Sequence, residues 1–280
     1  MAERFIDAFV CGHPIAHSRS PMIHGYWLKR YGLSGSYRAV DVTPAAFRDF
    51  LRALPESGFA GGNVTIPHKE AAFAGVAKRD EAAHLTGAVN TLWLEDSTIC
   101  GGNTDVHGFA ANLDQLAPDW RKAQRAVVVG AGGASRAVVY ALKRAGIRDI
   151  RIANRTLERA TELRDRFGDG IAAATLDALP EILGDADLLV NTTSLGMHGD
   201  SELPANPKLL PDHAIVTDIV YVPLKTPLLA AAERRGLKIV DGLGMLLHQA
   251  APAFQKWFGV MPEVSDELRE LVVADIEMKK

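Results

Sequence analysis

The sequence predicts an α/β protein of two domains, an N-terminal one built on a mostly parallel sheet and a second one of Rossmann type. Three observations lead there. Short apolar runs alternate with helix-like stretches along almost the whole chain. The segment Ala126-Val-Val-Val-Gly130-Ala-Gly132-Gly133-Ala-Ser135 breaks from an apolar run through glycines into a helical pattern. That turn begins some 125 residues into a chain of 280, so a second α/β unit of ordinary size must precede it.

In the first unit the pattern predicts strands over 5–10, 37–42 and 62–66. Helices are predicted after Ser20-Pro21, after Thr43-Pro44 and over 69–77. Ser or Thr before Pro signals a helix start, because the hydroxyl can cap free N–H groups and Pro lacks the one it would waste. Residues 89–94 and 97–100, parted by Glu95-Asp96, read as a hairpin. A helix over 107–116 leads to a second series of strands over 126–129, 150–153, 171–174, 188–191, 215–220 and 237–240. Two helices close the chain, over 245–258 and 265–278. Val264, Leu268, Leu271, Val272 and Ile276 recur at helical spacing, and these helices are expected to pack back onto the first unit.

A net charge of −3 and a pI near 6.3 give no general basic field, so nucleic acid is not an expected partner. Cys11 and Cys100 are too few for a disulfide framework or a metal cage. Asp7 interrupts the opening apolar run, and no stretch reaches 18 uncharged apolar residues. The expectation is a cytoplasmic protein without signal peptide or membrane span, a monomer or homodimer acting on a small molecule.

A glycine turn between a buried strand and a helix N-terminus suits a pyrophosphate, which meets backbone N–H groups and the positive end of the helix dipole. The candidate cradle is Gly130, Ala131, Gly132, Gly133, Ala134 and Ser135. About 22 residues past Gly132, where an acidic residue would take the ribose 2′-hydroxyl of NAD, the chain reads Asn154-Arg155-Thr156. An acid would repel a 2′-phosphate and Arg155 attracts one, so the cofactor expected is NADP. Arg159, one helical turn beyond Arg155, is a second candidate or a solvated helix residue.

Polar clusters in the first half fall where strands end: His17-Ser18-Arg-Ser20-Pro21, Asn63-Val-Thr65-Ile-Pro-His-Lys69, Gly87-Ala-Val-Asn90-Thr91 and Gly102-Asn103-Thr104-Asp105. In an open parallel sheet such ends face one crevice, which suggests a pocket for a polyhydroxylated or carboxylated ligand held by Ser18, Ser20, Thr65 and Asn90. Lys69 and Asp105 stand at crevice-facing ends, and reduction of a ketone needs a proton donor beside its oxygen. Bland readings coexist: Ser20 as an N-cap, Asn90 and Asn103 as turn residues, Lys69 and Asp105 as solvated surface.

Two rival chemistries weigh less. His13 and His17 have the spacing of a helical zinc pair, but Pro14 argues against a helix and no third ligand is evident; no metal is expected. His68, His107, His198 and His248 read individually as structural. Gly133-Ala-Ser135 nearly spells the nucleophile elbow of a hydrolase, but Gly130 and Gly132 are superfluous to an elbow and are what a pyrophosphate turn needs.

Taken in order, these clusters resemble the shikimate dehydrogenase family, together with Asn191-Thr192-Thr-Ser194-Leu-Gly-Met197, Asp218-Ile-Val-Tyr221-Val-Pro223 and Asp241-Gly242-Leu-Gly244-Met245-Leu-Leu-His-Gln249. The resemblance implies reversible NADPH-dependent reduction of 3-dehydroshikimate to shikimate, a step toward chorismate and the aromatic amino acids. It implies Lys69 and Asp105 as the catalytic pair, and Ser18, Ser20, Thr65, Lys69, Asn90, Asp105, Tyr221 and Gln249 as substrate contacts. The cofactor would be lined by 130–135, Asn154, Arg155, Thr156, Arg159, Thr192, Ser194, Gly242 and Met245. Residues 1–105 with 242–280 would form the substrate domain and 106–241 the NADP domain. Gly25 departs from the family, which often has Asn after His24. A quinate-accepting dehydrogenase and an NADPH-sensing regulator are the alternatives.

Overall fold

The structure is a computed structural model that describes residues 5–197 and 203–278. It divides into two compact units, one taking the chain up to Thr104 together with Leu247–Asp275, the other taking Asp105–Leu246 and the residues from Ile276 on.

In the first unit the order is β1 (Ile6–Gly12), α1 (Ser20–Arg30), β2 (Gly35–Asp41), α2 (Phe47–Ala53), β3 (Phe59–Val64), α3 (Lys69–Gly75), β4 (Lys78–Arg79), α4 (Glu81–Thr86), β5 (Thr91–Glu95) and β6 (Thr98–Gly102). The sheet runs β2-β1-β3-β5-β6-β4. β1 pairs in parallel with β2 and β3, whereas β5 is antiparallel to both β3 and β6. The expected parallel frame and the hairpin are both present. β4 and α4 lie where no element is predicted: Asp80 caps α4 by accepting from Ala83 N at 2.7 Å, and Gly87 ends it in the left-handed region. Phe9, Val64, Ala72, Val76, Val89 and Leu92 form the core beneath the sheet.

The second unit follows with α5 (Asp105–Leu116), β7 (Arg125–Val129), α6 (Gly133–Arg144), β8 (Asp149–Asn154), α7 (Leu157–Phe167), β9 (Ile171–Thr175), α8 (Leu179–Ile182), β10 (Leu188–Asn191), β11 (Ile215–Asp218), α9 (Pro227–Arg234) and β12 (Lys238–Val240). Its six parallel strands run β12-β11-β10-β7-β8-β9. Numbered within the unit this is the doubly wound order 3-2-1-4-5-6, with the topological switch between β7 and β10. Helices on both faces bury these strands, and so 126–129 and 188–191 are unbroken apolar runs up to Asn191. The strand expected over 215–220 stops at Asp218, whose carboxylate takes the Val220 N–H out of the ladder at 3.0 Å.

Two last helices, α10 (Leu243–Phe258) and α11 (Asp266–Met278), complete the chain. The part of α10 from Leu247 on seals the first unit. Phe254 stacks on the far side of His24 from Tyr37, Trp257 donates its indole N–H to Leu92 O at 2.8 Å, and Trp27 donates to Glu263 O at 2.9 Å. A Cβ on Gly61 would lie 2.5 Å from the Trp257 indole nitrogen and 2.2 Å from Leu92 O, so only glycine admits the ring there.

Candidate active site

In the first unit one hydrogen-bonded array links several of the expected ligand-binding residues. Ser20, the first residue of α1, bonds the Tyr37 hydroxyl, which donates to Asn63 Oδ1 at 2.6 Å. Asn63 Nδ2 donates to Asn90 O at 3.1 Å, and Asn90 Nδ2 in turn to Thr104 Oγ1 at 3.1 Å and Gln249 Oε1 at 3.5 Å. Asn90 Oδ1 accepts from Thr91 Oγ1 and from Thr104 N. Buried amides bonded on both ends hold one orientation, so the polar edges they leave are preorganised. Tyr37 and Asn63 are not among the site residues the sequence indicates: Asn63 heads the Asn63–Lys69 motif, but Tyr37 lies within an ordinary strand pattern that gives no signal.

The N-cap role that Ser20-Pro21 suggests does not hold for Ser20. Arg19 holds that position without a side-chain bond, Ser20 and Pro21 begin the helix, and Ser18 Oγ accepts the Ser20 N–H at 3.3 Å. Thr43-Pro44 likewise opens a turn, and α2 starts only at Phe47. Thr226-Pro227 does cap, with Thr226 Oγ1 accepting from Leu229 N.

Lys69 is the first residue of α3 and is half-buried. Its carbonyl accepts the Val89 N–H at 3.0 Å, which ties the start of α3 to the segment carrying Asn90. The preceding His68 is structural: its ring stacks on Phe47 and its Nε2 bonds Val42 O at 2.6 Å. Thr65 N donates to Cys11 O, and a Cβ on Gly12 would lie 2.5 Å from the Thr65 methyl, so the two strand ends touch. His13 pairs with Asp41 at 2.7 Å at the ends of β1 and β2. Among the described residues no three His, Cys, Asp or Glu groups gather as a metal site requires.

His24 is fully buried between Tyr37 and Phe254, and neither ring nitrogen has a hydrogen-bond partner among the described residues. Burial pushes its imidazole down to about 3, only partly offset by the nearby Asn63 side chain. Burial also pushes the Cys11 thiol up to about 12, so it is not a nucleophile. Nothing lies within 4 Å of a Cβ built on the exposed Gly25, so packing does not demand the departure from Asn there.

In the second unit the glycine turn leaves β7 and enters α6 at the switch point. Gly130 has φ +106°, and a Cβ on it would lie 2.6 Å from Thr192 Oγ1. Gly132 and Gly133 are exposed, with open space where side chains would be and no acidic residue in the first turn of α6. Such a cradle fits a dinucleotide pyrophosphate. Ser135 is fully buried: its Oγ accepts the Gly132 N–H at 3.1 Å and lies 2.5 Å from Thr192 Oγ1, which donates to Val129 O. That excludes the hydrolase elbow, since a nucleophile must be exposed. The same bonds fasten the turn to the loop carrying Thr192 and the exposed Ser194.

Asn154 ends β8 and donates to Thr156 O at 2.8 Å. Arg155 and Arg159 are both exposed, but the expected helical pairing is wrong, because Thr156 is the N-cap of α7 and Arg155 precedes the helix. Glu158 shares that first turn. Asp105 is the buried first residue of α5. Tyr221 is half-buried on the loop after β11, and Gly242 and Met245 lie at the start of α10. A Cβ on Gly242 would lie 2.4 Å from Ile219 O. His198 lies outside the described residues.

A parallel sheet in 3-2-1-4-5-6 order with an open glycine turn at its switch point, on a chain whose other unit holds the Asn90 array, defines a dinucleotide-dependent oxidoreductase. Family descriptions match in three stretches: "Shikimate dehydrogenase substrate binding domain" over 10–92, "Shikimate / quinate 5-dehydrogenase" over 113–198 and "Shikimate 5'-dehydrogenase C-terminal domain" over 242–266. The chain belongs to the shikimate dehydrogenase family. It is 65% identical over 279 residues to the shikimate dehydrogenase (NADP(+)) of Mesorhizobium japonicum, covering 100% of each chain. Among solved structures it is similar to shikimate 5-dehydrogenase from Thermus thermophilus in complex with NADP(H) and shikimate, with 38% identity, TM-score 0.86 and coverage of 97% of this chain and 99% of that one. Quinate dehydrogenase from Corynebacterium glutamicum in complex with NAD is similar at 30% identity and TM-score 0.89, with 97% and 100% covered.

Proposed function

We propose that the chain catalyses the reversible NADPH-dependent reduction of 3-dehydroshikimate to shikimate in aromatic amino-acid biosynthesis, with the first unit as substrate domain and the second as NADP domain. The observation that carries this reading furthest is the array from Ser20 through Asn63 and Asn90 to Gln249. It is a rigid set of hydroxyl and amide groups suited to a small ring bearing hydroxyls and a carboxylate.

In this reading Ser18 and Ser20 bind the substrate carboxylate, and Thr65, Asn90, Tyr221 and Gln249 orient the ring hydroxyls. The Lys69 ammonium donates a proton to the ketone oxygen during reduction, and its neutral amine accepts one in the reverse direction. Asp105 binds a neighbouring hydroxyl and orients Lys69. NADPH, when bound along 130–135 and by Asn154, Arg155, Thr156, Arg159, Thr192, Ser194, Gly242 and Met245, supplies the hydride. Arg155 favours the 2′-phosphate because a guanidinium makes charge-assisted bonds to it. An enzyme of this kind works in the cytoplasm as a monomer or homodimer; among the described residues no helix is long and apolar enough to cross a membrane.

Absorbance at the NADPH band tests the proposal, with shikimate or quinate offered against NADP or NAD. Shikimate with NADP should give the highest kcat/KM of the four pairs. Preference for quinate or for NAD would overturn the substrate or the cofactor assignment respectively, and no turnover with any pair would favour a sensing role.

A further inference from the structure

We propose that Asn112 is a positioning residue for the cofactor, fastening the segment 241–245 to the helix that begins at Asp105. The inference rests on the reading of Gly242 and Met245 as cofactor-lining residues. Asn112 lies on α5 and is 3% exposed. Its Nδ2 donates to the backbone carbonyl of Asp241 at 2.7 Å, and its Oδ1 is buried with no hydrogen-bond partner among the described residues. The orientation follows from the acceptor: the reverse amide flip would set two oxygens against each other.

The amide also lies flush against the next turn of chain. A Cβ on Gly244 would stand 1.9 Å from Asn112 Oδ1 and 2.6 Å from its Cγ. Residue 244 therefore has to be glycine for as long as Asn112 keeps this position, although its backbone is not in the left-handed region. Asp241 in turn accepts the Leu243 N–H on Oδ1 at 3.0 Å, and a Cβ on Gly242 would strike the Ile219 and Asp218 carbonyls. The segment is thus held from two sides, by α5 and by the end of β11.

Asp105 and Asn112 are seven residues apart, two turns along one face of α5 and about 10 Å along its axis. One rigid helix therefore carries the proposed substrate-binding Asp105 at its start and the clamp on the cofactor segment two turns later. A carboxylate positioned on the substrate and a cofactor segment positioned relative to that carboxylate is what hydride transfer requires, since small misplacements are costly in rate. A buried acceptor left unbonded costs stability, and Ala or Leu at 112 would remove that cost while breaking the clamp.

The test compares Asn112→Ala, Asn112→Leu, Gly244→Ala and the Asn112→Ala/Gly244→Ala pair, with Met245→Ala as a probe of the site reading. KM for NADP and shikimate, NADP affinity by fluorescence, and Tm are measured on the whole enzyme. Both Asn112 variants should raise the NADP KM by about 3- to 10-fold, the range one hydrogen bond supports, with the shikimate KM within about two-fold. Gly244→Ala should lose more, and Asn112→Ala should partly relieve that loss. If the Asn112 variants shift only Tm, or Gly244→Ala is equally damaging in both backgrounds, the clamp has no role in positioning. If Met245→Ala leaves NADP binding unchanged, the site reading fails and this inference falls with it; an effect at Met245 with none at Asn112 overturns the inference alone.

Discussion

Asp218 Oδ2 accepts the Thr226 hydroxyl at 2.8 Å, so a fully buried carboxylate at the end of β11 is bonded to the residue that caps α9. The other oxygen accepts from Asn191 Nδ2 at 2.9 Å and Val220 N at 3.0 Å. Asn191 Oδ1 in turn accepts from Thr193 N and Oγ1. The loops carrying Thr192 and Ser194 on one side and Tyr221 on the other are therefore anchored on one pair of side chains.

Among the described residues three donors and no acceptor face Asp218, so Asp218→Asn points an NH₂ group at a donor. The variant should lose about 1–3 kcal/mol of stability, the cost of a buried polar group left unpaired, and should raise the shikimate KM through the Tyr221 loop. Denaturant titration and steady-state kinetics check both. Wild-type stability would show that the network relaxes around the amide.

Lys69→Ala should lower kcat by about 10²- to 10⁴-fold, the usual contribution of a positioned acid or base. Substrate binding should change far less, because Ser18, Ser20, Thr65 and Asn90 would still hold the ring. Lys69→Met keeps most of the stem and separates lost proton transfer from lost packing. Wild-type turnover in either variant would make Lys69 an ordinary helix residue.

Arg155→Ala should reduce kcat/KM with NADP by roughly 10- to 150-fold, the value of one charge-assisted hydrogen bond or slightly more. Activity with NAD should barely move, and equal losses with both cofactors would refute the 2′-phosphate contact. Because Arg155 precedes α7, Arg159→Ala is an independent probe of the same charge.

His24 makes stability depend on pH. The unfolded imidazole takes up a proton below its ordinary 6.5, whereas burial keeps the folded one neutral until about 3. The unfolded state thus binds more protons throughout that window, and stability falls as pH drops from 6.5 toward 3. His24→Phe keeps an aromatic ring between Tyr37 and Phe254 and removes the titration. The loss of unfolding free energy between pH 7 and pH 5 should shrink by about 2 kcal/mol, as read from urea unfolding at the two pH values. An unchanged slope would assign the pH dependence to other groups.

The doubly wound unit was legible because strands buried on both faces write themselves as apolar runs, and because Gly130 marks where one ends. The first unit was less so. β4 is two exposed residues, Lys78 and Arg79, with no apolar content to betray them, and α4 was marked only by Asp80 and Gly87 at its ends. Ser-Pro and Thr-Pro announced helix starts but not which residue caps, since that depends on where the chain arrives from. Single residues of the site stood out where motifs carried them, as with Asn90 and Lys69. Tyr37 and Asn112 did not, because their partners lie 26 and 129 positions away.

The return of Phe254 and Trp257 to His24, Tyr37 and Leu92 sets an order on biosynthesis. The segment that leaves the ribosome first, up to Thr104, is not the first to be finished, since the aromatic box around His24 stays open until residue 257 has been made. Within that interval the intervening unit acquires its last strand, which ends at Val240, before residue 257 is made. A chaperone meeting the nascent chain would therefore find its exposed aromatic surface near the N-terminus, not at the growing end.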